Sequence, residues 1–79
     1  MNWKDYIAAD PQILVGKPVL KGTRLSVELL LDRLADGWTQ EEILRAYPVL
    51  TPQGLQAVFA FASEVMREEQ FIALDKLTA

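Results

Sequence analysis

Three helix starts follow one another through the middle of this 79-residue chain. Ser26, Thr39 and the pair Thr51–Pro52 each place a hydroxyl where it can accept from the free N–H groups of a first helical turn. After Ser26, the residues Val27, Leu30, Leu31, Leu34 and Ala35 recur at helical spacing, while Glu28, Asp32, Arg33 and Asp36 fill much of the other face. Glu28 also lies in the first turn, where a negative charge suits the helix dipole. Gly37 ends this helix as a left-handed C-terminal residue, which leaves Trp38 to cover the core beside the turn. Thr39-Gln40-Glu41-Glu42 is a capping box. The helix it starts turns Ile43 and Leu44 inward and stops near Tyr47, because Pro48 cannot continue it. Pro52, at the first helical position, opens a third helix that runs to roughly Glu69. Its inner stripe is Leu55, Val58, Phe59, Ala62, Val65 and Met66.

No polar residue falls between Ala57 and Ala62, so the third helix is covered on more than one side. Two readings fit: a central core helix, or an interface helix in a dimer or heteromer. Phe59, Phe61, Phe71 and Leu74 are the candidate interface residues, the last two in a tail that forms a fourth short helix or docks on a partner. The size of the chain bears on this choice. A core this small rarely supplies more than about 3–5 kcal/mol. With no cysteine and no histidine, disulfides and the usual zinc ligands are absent. Self-association or a partner chain is the remaining way to add buried area, and we expect a homodimer or higher oligomer.

The first 24 residues read as extended and turn structure. Asp10-Pro11 starts a turn, Ile13-Leu14-Val15 is a short apolar run ended by Gly16, and Val19-Leu20 forms a short edge strand. Lys21-Gly22 is a second tight turn. The whole segment is a small hairpin or an extended arm laid across helices, since two strands alone are marginal. The expected organisation is therefore one mainly α domain over 1–79. It has an extended or hairpin arm at 1–24, a three-helix core at 25–69 and a tail at 70–79.

Net charge is −3, but it is unevenly spread. Residues 1–24 hold four cations against two acids, and residues 25–79 hold four against nine. Within the basic part, Gly16-Lys17-Pro18-Val19-Leu20-Lys21-Gly22-Thr23-Arg24 gathers three cations and two glycines. Lys17, Lys21, Thr23 and Arg24 are candidates to contact phosphate or an acidic partner site, through charge and close backbone approach. A plain turn, with Arg24 paired to Glu28, is the alternative. The order of residues is not that of a Walker loop. A short helix, a turn and a longer helix is also the pattern of a helix-turn-helix. In that reading Gln53 and Gln56 would face DNA, although no basic residue stands between Thr51 and Met66. Catalysis has no thiol, no imidazole and no base beside a hydroxyl to rest on. We expect a binding module with no catalytic residues, no metal and no cofactor. It should be cytoplasmic, because no run approaches the roughly 20 apolar residues of a membrane span.

The string from Gly16 to Val27, then Gly37-Trp38-Thr39, Glu42-Ile43-Leu44, Tyr47-Pro48 and Leu50-Thr51, resembles a known family. This is the set of short bacterial and archaeal proteins catalogued as domain-of-unknown-function family four-three-three, and the resemblance covers about residues 7–62. It implies a homeodomain-like three-helix unit preceded by a short β element. It also implies an antitoxin of a toxin–antitoxin system: many members are encoded beside a PIN-like ribonuclease. Such a protein silences the nuclease and represses its own operon through the helix-turn-helix. Lys17, Lys21 or Arg24 would then enter the acidic metal-binding site of the nuclease. The alternatives are a stand-alone dimeric DNA-binding regulator and a structural homo-oligomer with no specific ligand.

Overall fold

The three helices begin at the residues whose side chains cap them. The computed structural model describes residues 1–70, so Phe71 and Leu74 lie outside the described residues. Helix α1 spans Val27–Ala35, α2 Gln40–Ala46 and α3 Pro52–Val65. Ser26 Oγ accepts from the Leu29 N–H and Thr51 Oγ1 from that of Gly54, both at 3.0 Å. Thr39 and Glu42 complete both bonds of the capping box, at 3.1 and 3.0 Å. At the end of α1, Gly37 takes φ +97°. Its N–H donates to the Leu34 carbonyl and that of Trp38 to Arg33, the paired bonds of a Schellman turn. Trp38 folds back half-buried against the core, with the Arg33 guanidinium 5.3 Å from its ring centroid.

Glu42 and Glu28 give the fold a mild acid sensitivity. The Thr39 backbone N–H, with the Thr39 side chain, holds the Glu42 carboxyl below its ordinary value. The Lys17 ammonium does the same for Glu28 through a direct hydrogen bond and its charge. A carboxyl lowered on folding contributes stability above the unfolded carboxylate range and loses it as pH falls through the folded value. The urea midpoint should therefore drop on acidification. In Glu42→Gln, which keeps an acceptor for the capping box, the drop should be shallower while the neutral-pH midpoint changes little.

Ahead of the helices lies a two-stranded antiparallel hairpin. Strand β1 (Ile7–Ala9) pairs with β2 (Pro18–Leu20), Ile7 opposite Leu20 and Ala9 opposite Pro18. The fold is thus mainly helical, with three helices preceded by a short hairpin. The strand facing β2 is Ile7–Ala9; the apolar run Ile13–Val15 instead bends through the connecting loop. Leu14, Val15 and Gly16 take φ of +48°, +57° and +80° in succession. Gly16 N–H to Ile13 O at 3.1 Å and Lys17 N–H to Leu14 O at 3.2 Å close the bend. Val15 stands 94 % exposed at its tip. A left-handed conformation costs an L-residue roughly 1–2 kcal/mol, and a β-branched one is a genuine outlier there. Val15→Asn, which tolerates this region, should raise stability by about 1 kcal/mol, read as a higher urea midpoint at unchanged slope. An unchanged midpoint would count against the left-handed bend.

The core joins all these elements: Ile7 and Leu20 from the hairpin, Leu30 from α1, Ile43 from α2, and Leu55 and Val58 from α3. Helix α1 packs on β2, α2 and α3, while α3 packs on β1 and on a 3₁₀ turn at Trp3–Asp5. That turn sets the rotation of α3. Trp3 meets Phe61 edge-on at 4.9 Å between ring centroids, and its indole Nε1–H donates to Glu64 at 2.6 Å. The buried face is consequently Gly54, Leu55, Ala57 and Val58. Phe59, Val65 and Met66, which the spacing assigned to the inner stripe, are 39, 37 and 53 % exposed. A second covering layer on the Phe61 side has turned the helix away from its most regular apolar stripe. The α-helix also ends earlier than expected, at Val65, and continues as a wider π turn over Met66–Gln70. No helix among the described residues is long and apolar enough to cross a membrane.

Candidate functional site

The turn between β2 and α1 presents two exposed cations, Lys21 and Arg24. The Thr23 N–H donates to the Leu20 carbonyl at 3.1 Å, and Gly22, third in the turn, takes φ +76°. A turn with positive φ at that position calls for glycine. The Thr23 hydroxyl donates to the Leu20 carbonyl at 2.8 Å and accepts from the Leu25 N–H at 3.0 Å. It is therefore occupied in shaping the turn. The Leu20 N–H donates to Leu25 and the Lys21 N–H to Tyr6, which fixes the turn to its neighbours at both ends. Lys21 and Arg24, on either side of Gly22-Thr23, project from a rigid backbone and are exposed.

Each of these cations lines one of two adjoining clefts. Lys21 lines the first, about 300 Å³, with Asp5, Tyr6, Leu50, Thr51 and Gly54. Arg24 lines the second, about 320 Å³, with Leu25, Ala46, Tyr47 and Pro48. Thr23 and Val49 line both and form the ridge between them. Val49 is 62 % exposed, an apolar side chain set between two cations. The floor of the first cleft depends on Gly54. A Cβ there would lie 3.1 Å from Leu50 Cδ1 and 3.3 Å from Leu20 Cδ1 and Thr51 Oγ1, so these neighbours would have to give by a few tenths of an ångström.

Among the described residues neither Lys21 nor Arg24 makes an ion pair; the single pair is Lys17–Glu28, at 2.8 Å. Its hydrogen bond and charge hold the Lys17 ammonium above its ordinary pKa. The expected pairing of Arg24 with Glu28 is thus replaced. The hairpin brings the start of β2 beside α1, so Lys17 reaches Glu28 across space. Three cations close in sequence are thus divided, among the described residues, into one paired with Glu28 and two without an ion pair.

Gln53 and Gln56 are exposed on the first turns of α3, beyond the cleft residues Thr51 and Gly54. Phe59 is partly exposed farther along the helix, whereas Phe61 is turned inward onto Trp3. The structure therefore groups Lys21, Thr23 and Arg24 with the α2–α3 turn, and separates them from Phe61 and Lys17. Tyr47 and Pro48 read in the sequence only as a helix stop and part of the family string, and neither they nor Val49 read as site residues. The available signal was Val49, an apolar residue in a short turn with no periodic face to join.

No curated protein and no solved structure matches the chain. A family profile does, over residues 7–62, which run from β1 into α3 and include both cations, the Val49 ridge and Gly54. On that match the chain belongs to DUF433, a family described as a protein of unknown function.

Proposed function

We propose that this chain is an antitoxin-like binding module that neutralises a PIN-like ribonuclease, docking through the face built by Lys21, Arg24 and Val49. The observation that carries this reading is a pair of cations, Lys21 and Arg24, that make no ion pair among the described residues and line two clefts in a protein of net charge −3. General attraction to a polyanion would call for many cations on one face, whereas this chain of net charge −3 carries eight in all. Two cations fixed by a rigid turn suit a compact acidic target, such as the carboxylate cluster that binds metal in a nuclease. Arg24 can fork onto a carboxylate through two N–H groups, while Lys21 acts as a point charge. Val49, Tyr47 and Pro48 would exclude water around them, where charge pairs are stronger than in bulk solvent. The family resemblance supports the same partner. Tagged chain purified from its native host should carry a small ribonuclease in equal amount, inactive until the two are separated. Recovery of the chain alone, or release of a nuclease already active in the complex, overturns the reading.

A second reading, a dimeric DNA-binding regulator, is favoured by one observation. Lys21 shares its cleft with Thr51 and Gly54 at the start of α3, next to the exposed Gln53 and Gln56. A cation beside the first turn of a helix is where phosphate contacts and base-edge contacts meet in helix-turn-helix complexes. Salt separates the two. Affinity resting on six or more phosphate contacts falls roughly 10³-fold or more between 50 and 200 mM salt. A protein complex anchored by a desolvated cation in an apolar surround loses far less.

A further inference from the structure

A groove between β2, α1 and α3 shares no lining residue with the two clefts of the Lys21–Arg24 turn. Pro18, Val27, Leu31 and Phe61 form its apolar lining, and Glu28 and Asp32 its acidic edge, around a volume of about 280 Å³. The two places are opposites in character. One presents an exposed apolar ridge, Val49, beside the Arg24 guanidinium; the other is an apolar hollow rimmed by carboxylates. We propose that copies of this chain dock head to tail, Val49 of one copy entering the groove of the next and Arg24 pairing with Asp32.

Charge complementarity selects a second copy as the occupant. Of the two acids at the groove edge, Glu28 already has Lys17, while Asp32 makes no ion pair among the described residues. Arg24 makes none either, and no acid lines its cleft, so the guanidinium can fork onto a carboxylate brought from outside. Pairing of like faces would instead set cation against cation or acid against acid. Each copy's net −3 repels the other at a distance, but at physiological salt that field decays over about 8 Å, whereas a partly buried contact pair is screened much less. Six residues line the groove, against about 20–30 per side in a stable interface, so the association is weak and reversible. Because two different surfaces meet, each copy keeps one of them open to the next, and the contact extends into short chains or rings. On the reading above, the Arg24 face cannot hold a nuclease and a second copy at once, so the two compete for it.

Sedimentation velocity of the full chain alone, from micromolar to millimolar concentration, gives a direct test. The average sedimentation coefficient should rise with concentration. Arg24→Glu and Asp32→Lys should each weaken this self-association at least about tenfold. An equimolar mixture of the two variants should recover it, because the reversed ridge of one then meets the reversed groove of the other. A coefficient that does not change with concentration in the unaltered chain overturns the proposal and leaves the groove to a partner of another kind. So does association that persists in either variant, or a mixture that stays monomeric. Arg24 and Asp32 are both exposed, so neither reversal depends on repacking the core. With no nuclease in the cell, the result is independent of whether the chain binds one.

Discussion

Replacing Ile43 by alanine should leave the chain largely unfolded at 25 °C. Ile43 is fully buried and is the one residue of α2 in the buried core. Isoleucine-to-alanine substitutions in such positions cost about 2–5 kcal/mol, the transfer term plus the cavity left behind. A domain of this size has about 3–5 kcal/mol to lose, and the chain has no cysteine for a disulfide to add to it. Helix α2 sharpens the effect. Its seven residues are far fewer than an isolated helix needs, so it persists through its capping box and the packing of Ile43 and Leu44. Without Ile43 the segment loses its anchor, and the Tyr47–Val49 wall of the cleft goes with it. Far-UV circular dichroism should show most of the helix signal gone and no cooperative urea transition. Ile43→Val, which removes one methylene, should keep the transition and lower stability by about 0.5–1.5 kcal/mol. A wild-type urea midpoint in Ile43→Ala would mean that α2 does not close the core.

How much of this was legible in the sequence follows the range of the interactions involved. Helix starts are local: Ser26, Thr39 and Thr51 each bond to an N–H three residues on, and all three caps were readable. Gly37 and Gly22 were readable for the same reason, because positive φ is a demand a residue meets by itself. The hairpin was half readable. Val19-Leu20 stood out as β-prone, but its partner Ile7-Ala8-Ala9 contains two alanines and carries little strand preference. Leu14 and Val15 misled in the opposite direction, since two aliphatic residues, the second of them β-branched, argue against the left-handed bend they adopt. The rotation of α3 was out of reach. It is decided by Trp3, which reaches Phe61 and Glu64 from the far end of the chain. The cleft divides likewise: Lys21 and Arg24 were evident as charges, whereas the apolar wall beside them exists only once the α2–α3 turn packs against β2 and α1. Which cation pairs with Glu28 also depended on tertiary structure, because Lys17 reaches it across space.

Reversing Lys21 and Arg24 together, as Lys21→Glu/Arg24→Glu, should abolish binding to the proposed nuclease partner while leaving the fold intact. Truncating one member of a desolvated charge pair costs about 2–5 kcal/mol, roughly 30-fold to several thousand-fold in affinity. Reversal adds repulsion, so the double variant should lose at least about 1,000-fold, to be read by titration calorimetry and by recovered nuclease activity. Stability should hardly move. Both side chains are exposed and make no ion pair among the described residues, and surface changes of this kind stay within about 0.5 kcal/mol. Arg24→Lys separates charge from shape: it keeps the cation and removes the fork, so binding should weaken but persist if Arg24 holds a carboxylate through two N–H groups. Lys17→Gln is the contrasting control. It removes a neighbouring cation that is already paired with Glu28, and affinity for the partner should stay close to that of the unaltered chain. If Lys17→Gln weakens binding as much as the double reversal does, the partner responds to the charge of the whole N-terminal segment. The geometry of the Gly22 turn would then have no special part in recognition.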